Sequence, residues 1–257
     1  MTGWVAITRQ VSPAINQCEL TNIERQAIDL SRAQAQHDEY EQAMRSLGVK
    51  VVSLPPEPDL PDSVFVEDVA VVLDECALIT RPGADSRKPE VESIAKSLSP
   101  FRKLFFIQAP GTVDGGDVLT VGKSLYVGLS SRSNRAGIEQ MQAFLAPFGY
   151  EVRGVEVTGC LHLKSAVTQV GQDLLLVNPA WVDRSAFPGM TFIEVDPSEP
   201  YAANAVMIEN SLIYPLAFPK TRKRLEAGGL KLVMVDASEL AKAEGAVTCC
   251  SLILKDR

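Results

Sequence analysis

The 257-residue sequence predicts an α/β fold in which five similar units form a propeller-like ring. Three observations support this prediction: a recurring strand–turn–strand pattern, helix signals between the recurrences, and an apolar strand near each end of the chain. No linker or low-complexity segment interrupts residues 1–257, so we expect a single domain. An open α/β sheet is the alternative that the same pattern allows.

Four segments consist of a short apolar strand, a polar turn and a second short apolar strand; they span 69–80, 117–129, 166–177 and 205–216. They begin roughly 40 to 50 residues apart, a period typical of propeller repeats. The terminal strands, WVAIT and TCCSLIL, can pair as a fifth hairpin and close the ring. Closure would remove the exposed edges that an open sheet leaves.

Helix signals fall between the strands. The first predicted helix opens with a capping box of Thr21 and Glu24 and ends at Gly48. His37 lies on the apolar stripe of this helix, so we expect it to be a half-buried packing residue. Further helices are predicted at 89–98, 134–146, 219–228 and 237–243.

Composition and charge exclude several classes of partner. The net charge of −7 and the pI near 5.0 disfavour nucleic acids and anionic membranes, which attract basic patches. The start MTGWVAITRQ does not resemble a signal peptide, and no apolar run approaches the roughly 20 residues that span a bilayer. The five cysteines are scattered and include no C-x-x-C. We therefore expect reduced thiols, a cytoplasmic location and no structural zinc site.

Cys249 and Cys250 stand side by side in the predicted last strand. Strand alternation would send their side chains to opposite faces, so that one thiol packs in the core and the other faces a cavity. Packing of both thiols in the core is the alternative. A nucleophilic thiol needs an acid–base partner, and His162, at the start of a predicted strand, is the candidate because His37 lies in helix packing.

Two segments offer carboxylates for chemistry. Asp114 and Asp117 flank a Gly-Gly turn before a strand and can orient an imidazole, although such turns are common without a function. Glu67 and Asp68 lie inside an apolar strand, VFVEDVAVV. Charges in a buried strand need a positive partner, so this pair indicates either a pocket for a cationic ligand or a solvated strand end.

Two arginines occupy loop positions that often meet a ligand. Arg87 and Arg132 each follow a glycine-bearing turn after a strand. The pattern alone leaves them either as ligand contacts or as exposed, solvated charges.

Seven motifs together resemble the dimethylarginine dimethylaminohydrolase family; in chain order they are LPDSVFVEDVAVV, ALITRPGADSR, APGTVDGGDVL, YVGLSSRSN, LHLKSAV, YAANAVMIEN and TCCSL. The resemblance runs in order from about residue 9 to residue 254. This family belongs to the guanidino-group modifying enzymes, together with arginine deiminases, agmatine deiminases and amidinotransferases. The resemblance implies a five-bladed, pseudo-symmetric α/β propeller, the pentein fold, in agreement with the repeat pattern.

The resemblance implies catalytic roles for three residues. Cys249 corresponds to the family nucleophile, which leaves Cys250 in the packing position. His162 corresponds to the general acid and base. Asp114 corresponds to the acidic residue of the motif GTV-[DE]-x-G-D, which is the partner of the histidine and of the guanidinium.

The resemblance also implies a set of substrate-binding residues. Asp68 corresponds to the carboxylate that grips the guanidinium, and Asp62 to the one that meets the α-ammonium group. Arg87 and Arg132 correspond to the arginines that hold the α-carboxylate. The remaining positions in this set are Leu20, Phe65, Glu67 and Ala243, of which Leu20 and Ala243 offer backbone carbonyls.

The implied reaction is hydrolysis of Nω,Nω-dimethyl-L-arginine, or of its monomethyl analogue, to citrulline and dimethylamine or methylamine. It proceeds through an S-alkylthiouronium intermediate on Cys249 and needs no metal and no organic cofactor. The implied partner is a small molecule, methylated L-arginine, and the resemblance allows a homodimer. The alternatives are another guanidine-modifying hydrolase, such as an arginine deiminase, and a catalytically idle protein that binds cationic amino acids.

Overall fold

The computed structural model describes residues 3–256 and contains, within that range, fifteen strands in five three-stranded sheets. The strands are β1 (Trp4–Arg9), β2 (Lys50–Leu54), β3 (Ala70–Val72), β4 (Cys76–Ile79), β5 (Lys103–Phe106), β6 (Val118–Val121), β7 (Ser124–Leu129), β8 (Glu151–Glu156), β9 (Val167–Gly171), β10 (Leu174–Val177), β11 (Thr191–Glu194), β12 (Val206–Ile208), β13 (Ser211–Pro215), β14 (Lys231–Val235) and β15 (Leu252–Lys255). The α-helices are α1 (Leu30–Ser46), α2 (Glu90–Leu98), α3 (Arg135–Leu145), α4 (Leu163–Ala166), α5 (Pro219–Ala227) and α6 (Ser238–Ala241).

Each sheet repeats the same unit, which we call a blade. In chain order the blades are β15–β1–β2, β3–β4–β5, β6–β7–β8, β9–β10–β11 and β12–β13–β14. In every blade the first strand is antiparallel to the second, and the second is parallel to the third. Parallel neighbours need a crossover connection, which α1, α2, α3 and α5 provide in four blades. The crossover between β10 and β11 contains a 3₁₀ turn at Arg184–Ala186.

The first strands of the five blades, β3, β6, β9, β12 and β15, all line one cavity of about 830 Å³ including its opening, which we call the channel cavity. Strands that surround a single cavity form a ring, so the propeller prediction is confirmed and the open sheet is wrong. The ring closes where β15 pairs with β1, with Trp4 opposite Lys255 and Ile7 opposite Leu252. This pairing confirms the predicted fifth hairpin.

Apolar cores fill the space between each sheet and its crossover. In the third blade, Met141 and Leu145 of α3 pack with Leu125 and Val127 of β7, and all four side chains are fully buried. The i, i+4 spacing of the two α3 residues places them on one face of the helix. Burying one such side chain contributes about 1.5–3 kcal/mol to the free energy of unfolding.

The first helix begins later than predicted. α1 starts at Leu30, and the Asp29 side chain caps it by accepting a backbone N–H of the first turn at 3.0 Å. The predicted capping box of Thr21 and Glu24 is therefore wrong. The Thr21 N–H donates to the carboxylate of Glu244, a contact that competes successfully with a helical turn at this position.

The end of α1 and the remaining helices agree with the predictions. Gly48 follows α1 with a φ of +81°, the left-handed conformation that glycine adopts without steric cost. The helices predicted at 89–98, 134–146, 219–228 and 237–243 correspond to α2, α3, α5 and α6. None of the helices in residues 3–256 has both the length and the apolar character that crossing a membrane requires.

Glu67 and Asp68 lie in a turn and not, as predicted, in a strand. The segment Val66–Val69 is a 3₁₀ turn that precedes β3. Val66 and Val69 are both fully buried, and their spacing of three residues fits one face of a helical turn. The apolar residues that led to the strand prediction are therefore buried by a 3₁₀ turn whose valines face the core.

The adjacent cysteines and His162 also lie outside the predicted strands. Cys249 and Cys250 form a turn before β15 begins, in which the Cys249 N–H donates to Ala246 O at 3.2 Å. His162 is the residue before α4, and β9 starts only after that short helix. The side chains that can take part in a reaction thus lie in turns that lead into the first strand of a blade.

Candidate active site

Four of the five turns that lead into first strands carry chemically active side chains. They place Asp68 before β3, Asp114 before β6, His162 before β9 and Cys249 before β15. Because the first strands are equivalent in the ring, these turns converge at one end of its axis. The fifth turn carries Asn204, whose side chain hydrogen-bonds the turn of the cysteines.

These turns and the surrounding loops line a cavity of about 300 Å³ including its opening, which we call the active cavity. Eight predicted residues line it: Asp62, Phe65, Asp68, Arg87, Arg132, His162, Ala243 and Cys249. Asp114 is fully buried and contacts the imidazole of His162. The structure therefore brings together the three predicted catalytic residues and most of the predicted binding residues.

His162 lies between two carboxylates. Its Nε2 is 3.1 Å from Asp114 Oδ2, and its Nδ1 is 3.8 Å from Asp68 Oδ1. Burial disfavours the imidazolium, but the charges of Asp68, Asp114 and Asp117 outweigh burial and raise the pKa of His162 to about 9. At neutral pH this histidine carries a proton that it can donate.

Asp114 is held by donors on both sides. Its Oδ1 accepts the Gly83 N–H at 2.8 Å, while its Oδ2 contacts His162 and lies 3.9 Å from a guanidinium nitrogen of Arg132. These contacts fix the carboxylate in one orientation. In that orientation the Asp side chain reaches the imidazole, although it is shorter than the Glu that the family motif also allows. The predicted pairing of Asp114 with His162 is confirmed as a contact.

Asp68 is oriented by a backbone amide and an arginine. Its Oδ1 accepts the Gly116 N–H at 3.0 Å, and its Oδ2 accepts from Arg87 Nη1 at 2.5 Å. Burial acts to raise the pKa of Asp68, but Arg87 and His162 outweigh it and lower that pKa. Gly116 has no alternative here, because a Cβ at this position would lie 2.6 Å from both Asp68 Oδ1 and His162 Nδ1.

Asp117 has a different role from Asp114, although the sequence offered both as partners of an imidazole. Its Oδ1 accepts the Leu163 N–H at 3.0 Å, and its Oδ2 accepts from the hydroxyls of Ser130 and Ser133 at 2.6 Å each. The first of these bonds anchors the residue next to His162. Asp117 thus positions the histidine through the backbone.

The two adjacent cysteines occupy different environments, as predicted. Both belong to the apolar core beside α1, but Cys249 also lines the active cavity, whereas Cys250 does not and has its Sγ 3.6 Å from Ala246 O. Burial, followed by the charges of Asp68 and Glu67, raises the pKa of Cys249 to about 12. All five cysteines are free thiols.

Arg87 is largely engaged by protein groups. Its guanidinium binds both carboxylate oxygens of Glu90, at 3.1 and 2.8 Å, as well as Asp68 and the backbone oxygens of Asp62 and Phe65. Burial raises the pKa of Glu90 to about 7, although Arg87 opposes this shift. The Arg87 guanidinium therefore orients the segment that carries Asp68.

Arg132 and Asp62 have fewer internal partners. Arg132 Nη2 donates to Thr21 Oγ1 at 3.1 Å, and Asp62 Oδ2 accepts the Glu19 N–H at 3.1 Å. Burial raises the pKa of Asp62, an effect that Arg87 partly offsets. Both side chains line the active cavity and retain polar atoms that can meet a ligand.

Two predicted binding residues lie outside the lining of the active cavity. Glu67 forms an ion pair with Lys164, and both line the channel cavity. Burial raises the pKa of Glu67. Leu20 packs, partly buried, against the apolar core beside α1. Their predicted contacts with a substrate stay predictions.

Four lining residues were absent from the sequence-based set: Glu19, Leu161, Glu244 and Gly245. Each lies one or two positions from a predicted residue in the sequence, which is the one signal that pointed to them. Nothing in the sequence distinguishes Glu244 from an ordinary loop residue, since its contacts are made with residues more than 200 positions away.

The cluster of Asp68, Asp114 and His162 has the composition of a metal site. Ligand atoms of the three lie within 4.8 Å of one another. A metal ion would require neutral His162, whereas the same carboxylates favour its protonated form, so metal binding competes with protonation. The expected independence from metals stays a prediction.

Comparison with known proteins gives a consistent picture. A family profile described as N,N dimethylarginine dimethylhydrolase, eukaryotic, matches residues 8–186. The chain is similar to the N(G),N(G)-dimethylarginine dimethylaminohydrolase of Pseudomonas aeruginosa, with 38% identity over 226 residues that cover 87% of this chain and 89% of that protein. It is also similar to the protein of the same name from Streptomyces coelicolor, with 38% identity over 254 residues that cover 98% of this chain and 97% of that protein.

Solved structures agree with these sequence matches. A cysteine-to-serine variant of the P. aeruginosa enzyme, complexed with citrulline, superposes with a TM-score of 0.94 at 35% identity and covers 99% of this chain and 100% of that one. A histidine-to-glycine variant of a dimethylarginine dimethylaminohydrolase, an adduct with S-methyl-L-thiocitrulline, gives the same TM-score, identity and coverage. The N-terminal domain of a cyanobacterial arginine dihydrolase has a TM-score of 0.86 at 19% identity, over 99% of this chain and 98% of that domain, and so shares the fold.

Proposed function

The chain belongs to the dimethylarginine dimethylaminohydrolase family, and on that premise we propose that it hydrolyses Nω,Nω-dimethyl-L-arginine to L-citrulline and dimethylamine. The observation that carries the proposal is the active cavity, in which the thiol of Cys249, the protonated imidazole of His162 and the carboxylate of Asp68 meet. Citrulline bound to the P. aeruginosa relative supports the product.

We propose that Asp68 and Asp114 bind the substrate guanidinium. A guanidinium is a planar cation with several N–H donors and a pKa above about 12, and carboxylates match its geometry. Hydrogen bonds to carboxylates keep it protonated, which leaves its carbon more open to a nucleophile. They also hold the reacting carbon in a fixed position, an effect that contributes several orders of magnitude to a rate.

Binding of this cation would also activate Cys249. The thiol is protonated in the free protein because burial and nearby carboxylates raise its pKa to about 12. A guanidinium beside Asp68 offsets the negative charge and lowers the pKa of the thiol. The thiol proton passes to solvent as the cation binds, and the thiolate then attacks the guanidino carbon and forms a C–S bond.

His162 serves as the acid in the first half of the reaction and as the base in the second. As the C–N bond breaks, the imidazolium gives its proton to the departing dimethylamine and leaves an S-alkylthiouronium on Cys249. The neutral imidazole next takes a proton from water, whose oxygen attacks the same carbon. The C–S bond breaks, the thiolate of Cys249 leaves and takes up the remaining proton of the attacking oxygen, and citrulline forms. No step requires a metal or an organic cofactor.

The amino-acid end of the substrate would meet Arg132 and Asp62. We propose that Arg132 contributes most of the attraction for the α-carboxylate, because Arg87 is already engaged by Glu90 and backbone oxygens. Asp62 would accept from the α-ammonium group. Phe65 and Ala243 complete the wall of the active cavity.

The remaining predictions belong to this proposal. Leu20 would contribute a backbone carbonyl, and Glu67 would act from the channel side through its pair with Lys164. We propose that residues 1–257 act as one catalytic domain, although residues 1, 2 and 257 lie outside the described residues. A cytoplasmic location and a homodimer complete the proposal.

Product analysis tests the function. Release of the ureido product is measured at equal substrate concentration, as citrulline from dimethylarginine, monomethylarginine and arginine and as N-carbamoylputrescine from agmatine. Dimethylamine is detected separately, and the Cys249→Ser variant is the control. We expect release from the two methylated arginines. Faster turnover of plain arginine would identify an arginine deiminase. Absence of turnover, with methylarginine still protecting Cys249 from alkylation, would identify an idle binding protein.

A further inference from the structure

Residues 19–29 run without regular secondary structure from the active cavity to the start of α1, and we call them the cover segment. Glu19 lines the cavity, while Ile28 is the one fully buried side chain of the segment. A segment that buries so little apolar surface is held mainly by polar contacts. The partners of these contacts decide whether the segment stays closed.

Glu244 holds the cover segment by its backbone. Glu244 Oε2 accepts the Thr21 N–H at 2.5 Å, and its Oε1 accepts the Asn22 N–H at 2.9 Å. Both oxygens of one carboxylate therefore bind consecutive amides. Hydrogen bonds to an ionised acceptor are roughly twice as strong as neutral ones. Asp62 and Glu239 each accept one backbone N–H near an end of the segment, whereas Glu244 accepts two in its exposed part.

The gripped residues are linked to the side chains that would bind a substrate. The Thr21 hydroxyl accepts from Arg132 Nη2 at 3.1 Å. Two residues earlier, the Glu19 N–H donates to Asp62 Oδ2 at 3.1 Å. The position of the cover segment therefore affects both groups at the amino-acid end of the active cavity.

The backbone of Glu244 is unusual as well. Within residues 3–256, Glu209 and Glu244 are the two non-glycine residues with positive φ, at 52° and 55°. Such a conformation is unfavourable for a residue with a Cβ and persists where the surroundings require it. Glu244 lies between Ala243 and Gly245, both of which line the active cavity, and a Cβ on Gly245 would collide with the Phe65 ring at 2.2 Å.

From these contacts we propose that Glu244 is a positioning residue whose carboxylate latches the cover segment over the active cavity. The latch joins the loop of Ala243 to the segment of Leu20 and sets Arg132 and Asp62 for the amino-acid end of the substrate. Access of substrate to Cys249 requires the latch to open. The kinetic consequences rest on the proposed function, whereas the latch itself does not.

Hydrogen exchange tests the latch without turnover. In peptides that contain Thr21 and Asn22, we expect amide exchange at least about tenfold faster in Glu244→Gly than in the wild type. Glu244→Gln retains one acceptor oxygen and the backbone strain, so its exchange should be intermediate. Iodoacetamide should also alkylate Cys249 faster in both variants, because the cavity is less often covered.

Glu209→Gly and Glu209→Gln are matched controls. Glu209 has the same positive φ but lies in the β12–β13 hairpin, where it accepts from the Trp4 indole. Exchange in the cover segment should match the wild type in both controls. Wild-type exchange in Glu244→Gly, or equally fast exchange in the Glu244 and Glu209 variants, would overturn the latch.

Steady-state kinetics then separates positioning from general damage. In Glu244→Gln we expect KM for dimethylarginine to rise about tenfold while kcat changes by less than about threefold, because the lost contact orders the binding site and does not touch the reacting atoms. An unchanged KM would overturn the positioning role. If no form of the protein turns over dimethylarginine, the proposed function fails, and hydrogen exchange still decides the latch.

Discussion

The chain has two histidines, and both are buried beside carboxylates, yet their protonation differs. His37 was predicted to be half-buried and is fully buried in α1, with its Nδ1 3.8 Å from Glu41; burial lowers its pKa. His162 is buried to nearly the same extent, but three aspartates outweigh burial and raise its pKa to about 9. The amount of nearby negative charge, and not burial, distinguishes the two sites.

The difference extends to how each region uses its charges. Near His37, the carboxylate of Glu41 is satisfied by the Thr8 hydroxyl at 2.6 Å and by Arg45 at 2.7 Å. In the active cavity, carboxylates gather around His162 and leave an excess of negative charge for a cation. A structural core pairs its charges internally, whereas a binding site keeps some of them available to a ligand.

The largest expected effect is the loss of turnover when Cys249 is replaced, compared with the same replacement at the adjacent Cys250. Cys249→Ser should reduce turnover by at least roughly a thousandfold, because a hydroxyl is a far weaker nucleophile at neutral pH. Cys250→Ser should keep most of the activity and lower the free energy of unfolding by about 1–2 kcal/mol, because Cys250 packs in the core beside α1. Activity assays and urea unfolding of both variants measure this. An active Cys249→Ser variant would reverse the assignment.

Next in size is the effect of removing each histidine. His162→Ala should lower turnover by about 10²–10⁴-fold, because the departing amine then lacks its proton donor. His37→Ala should leave the rate within about threefold, since His37 contacts Tyr40 and Glu41 of its own helix and does not line the active cavity. Mass spectrometry of acid-quenched enzyme should show at most slow formation of the S-alkylthiouronium in His162→Ala. A folded but inactive His37→Ala variant would contradict the comparison.

The arginines of the active cavity offer a smaller contrast. Arg132→Ala should lower kcat/KM for dimethylarginine by about 10²-fold and leave the low rate with agmatine nearly unchanged, because agmatine has no carboxylate to lose. Arg87→Ala should mainly destabilise the fold, since it leaves Glu90 and Asp68 buried without their cation. Kinetics with both substrates and thermal unfolding separate the two. Efficient agmatine turnover by the unaltered protein would exclude the carboxylate contact.

The opposite pKa shifts predict opposite pH dependences of stability. His162 binds its proton more tightly when folded, so its contribution of up to about 3 kcal/mol is complete below about pH 6.5 and is lost as the pH rises through about 9. The lowered pKa of His37 means that stability is lost as the pH falls below about 6.5. Urea unfolding at a series of pH values gives the free energy of unfolding. This free energy should depend less on pH above about pH 6.5 in His162→Ala, and less on pH below about 6.5 in His37→Ala, than in the wild type. A pH dependence equal to that of the wild type in both variants would refute the assigned protonation states.

The smallest expected effect is that of chelators. Dialysis against EDTA should leave turnover unchanged, since the proposed steps need only side chains and water. Added zinc should inhibit by capturing groups of the active cavity, among them His162 and Cys249. Loss of activity on dialysis and its recovery with zinc would show that the mechanism depends on a metal.

The architecture was predictable because strand–turn–strand repeats are local patterns. Segments such as 117–129 contain both strands and the turn of a hairpin, so their pairing needs no information from elsewhere in the chain. The start of α1 was not predictable in the same way. Thr21 and Glu24 form a good capping pattern. The Thr21 N–H donates instead to Glu244, which is 223 residues away in the sequence.

The candidate site was predictable in identity but not in geometry. Cys249, His162, Asp114 and Asp68 were found from motifs, and they do converge. Asp114 was predicted at a turn, which is confirmed, whereas the other three were predicted in strands. Buried apolar neighbours look alike in strands and in short turns. The same ambiguity placed Glu67 in the binding segment, whereas its ion pair with Lys164 turns it toward the channel cavity.

The pairing of β15 with β1 joins Trp4 to Lys255 and so sets the order in which the molecule assembles. Contacts between residues so distant in sequence form late in folding, because the entropy of loop closure is lost before they stabilise the chain. The other four blades consist of consecutive residues and can form earlier. Since Cys249 lies in the turn before β15, its thiol leaves the solvent only when the ring closes. We expect pulse alkylation during refolding to find Cys249 protected last; its protection before the middle blades form would contradict this order.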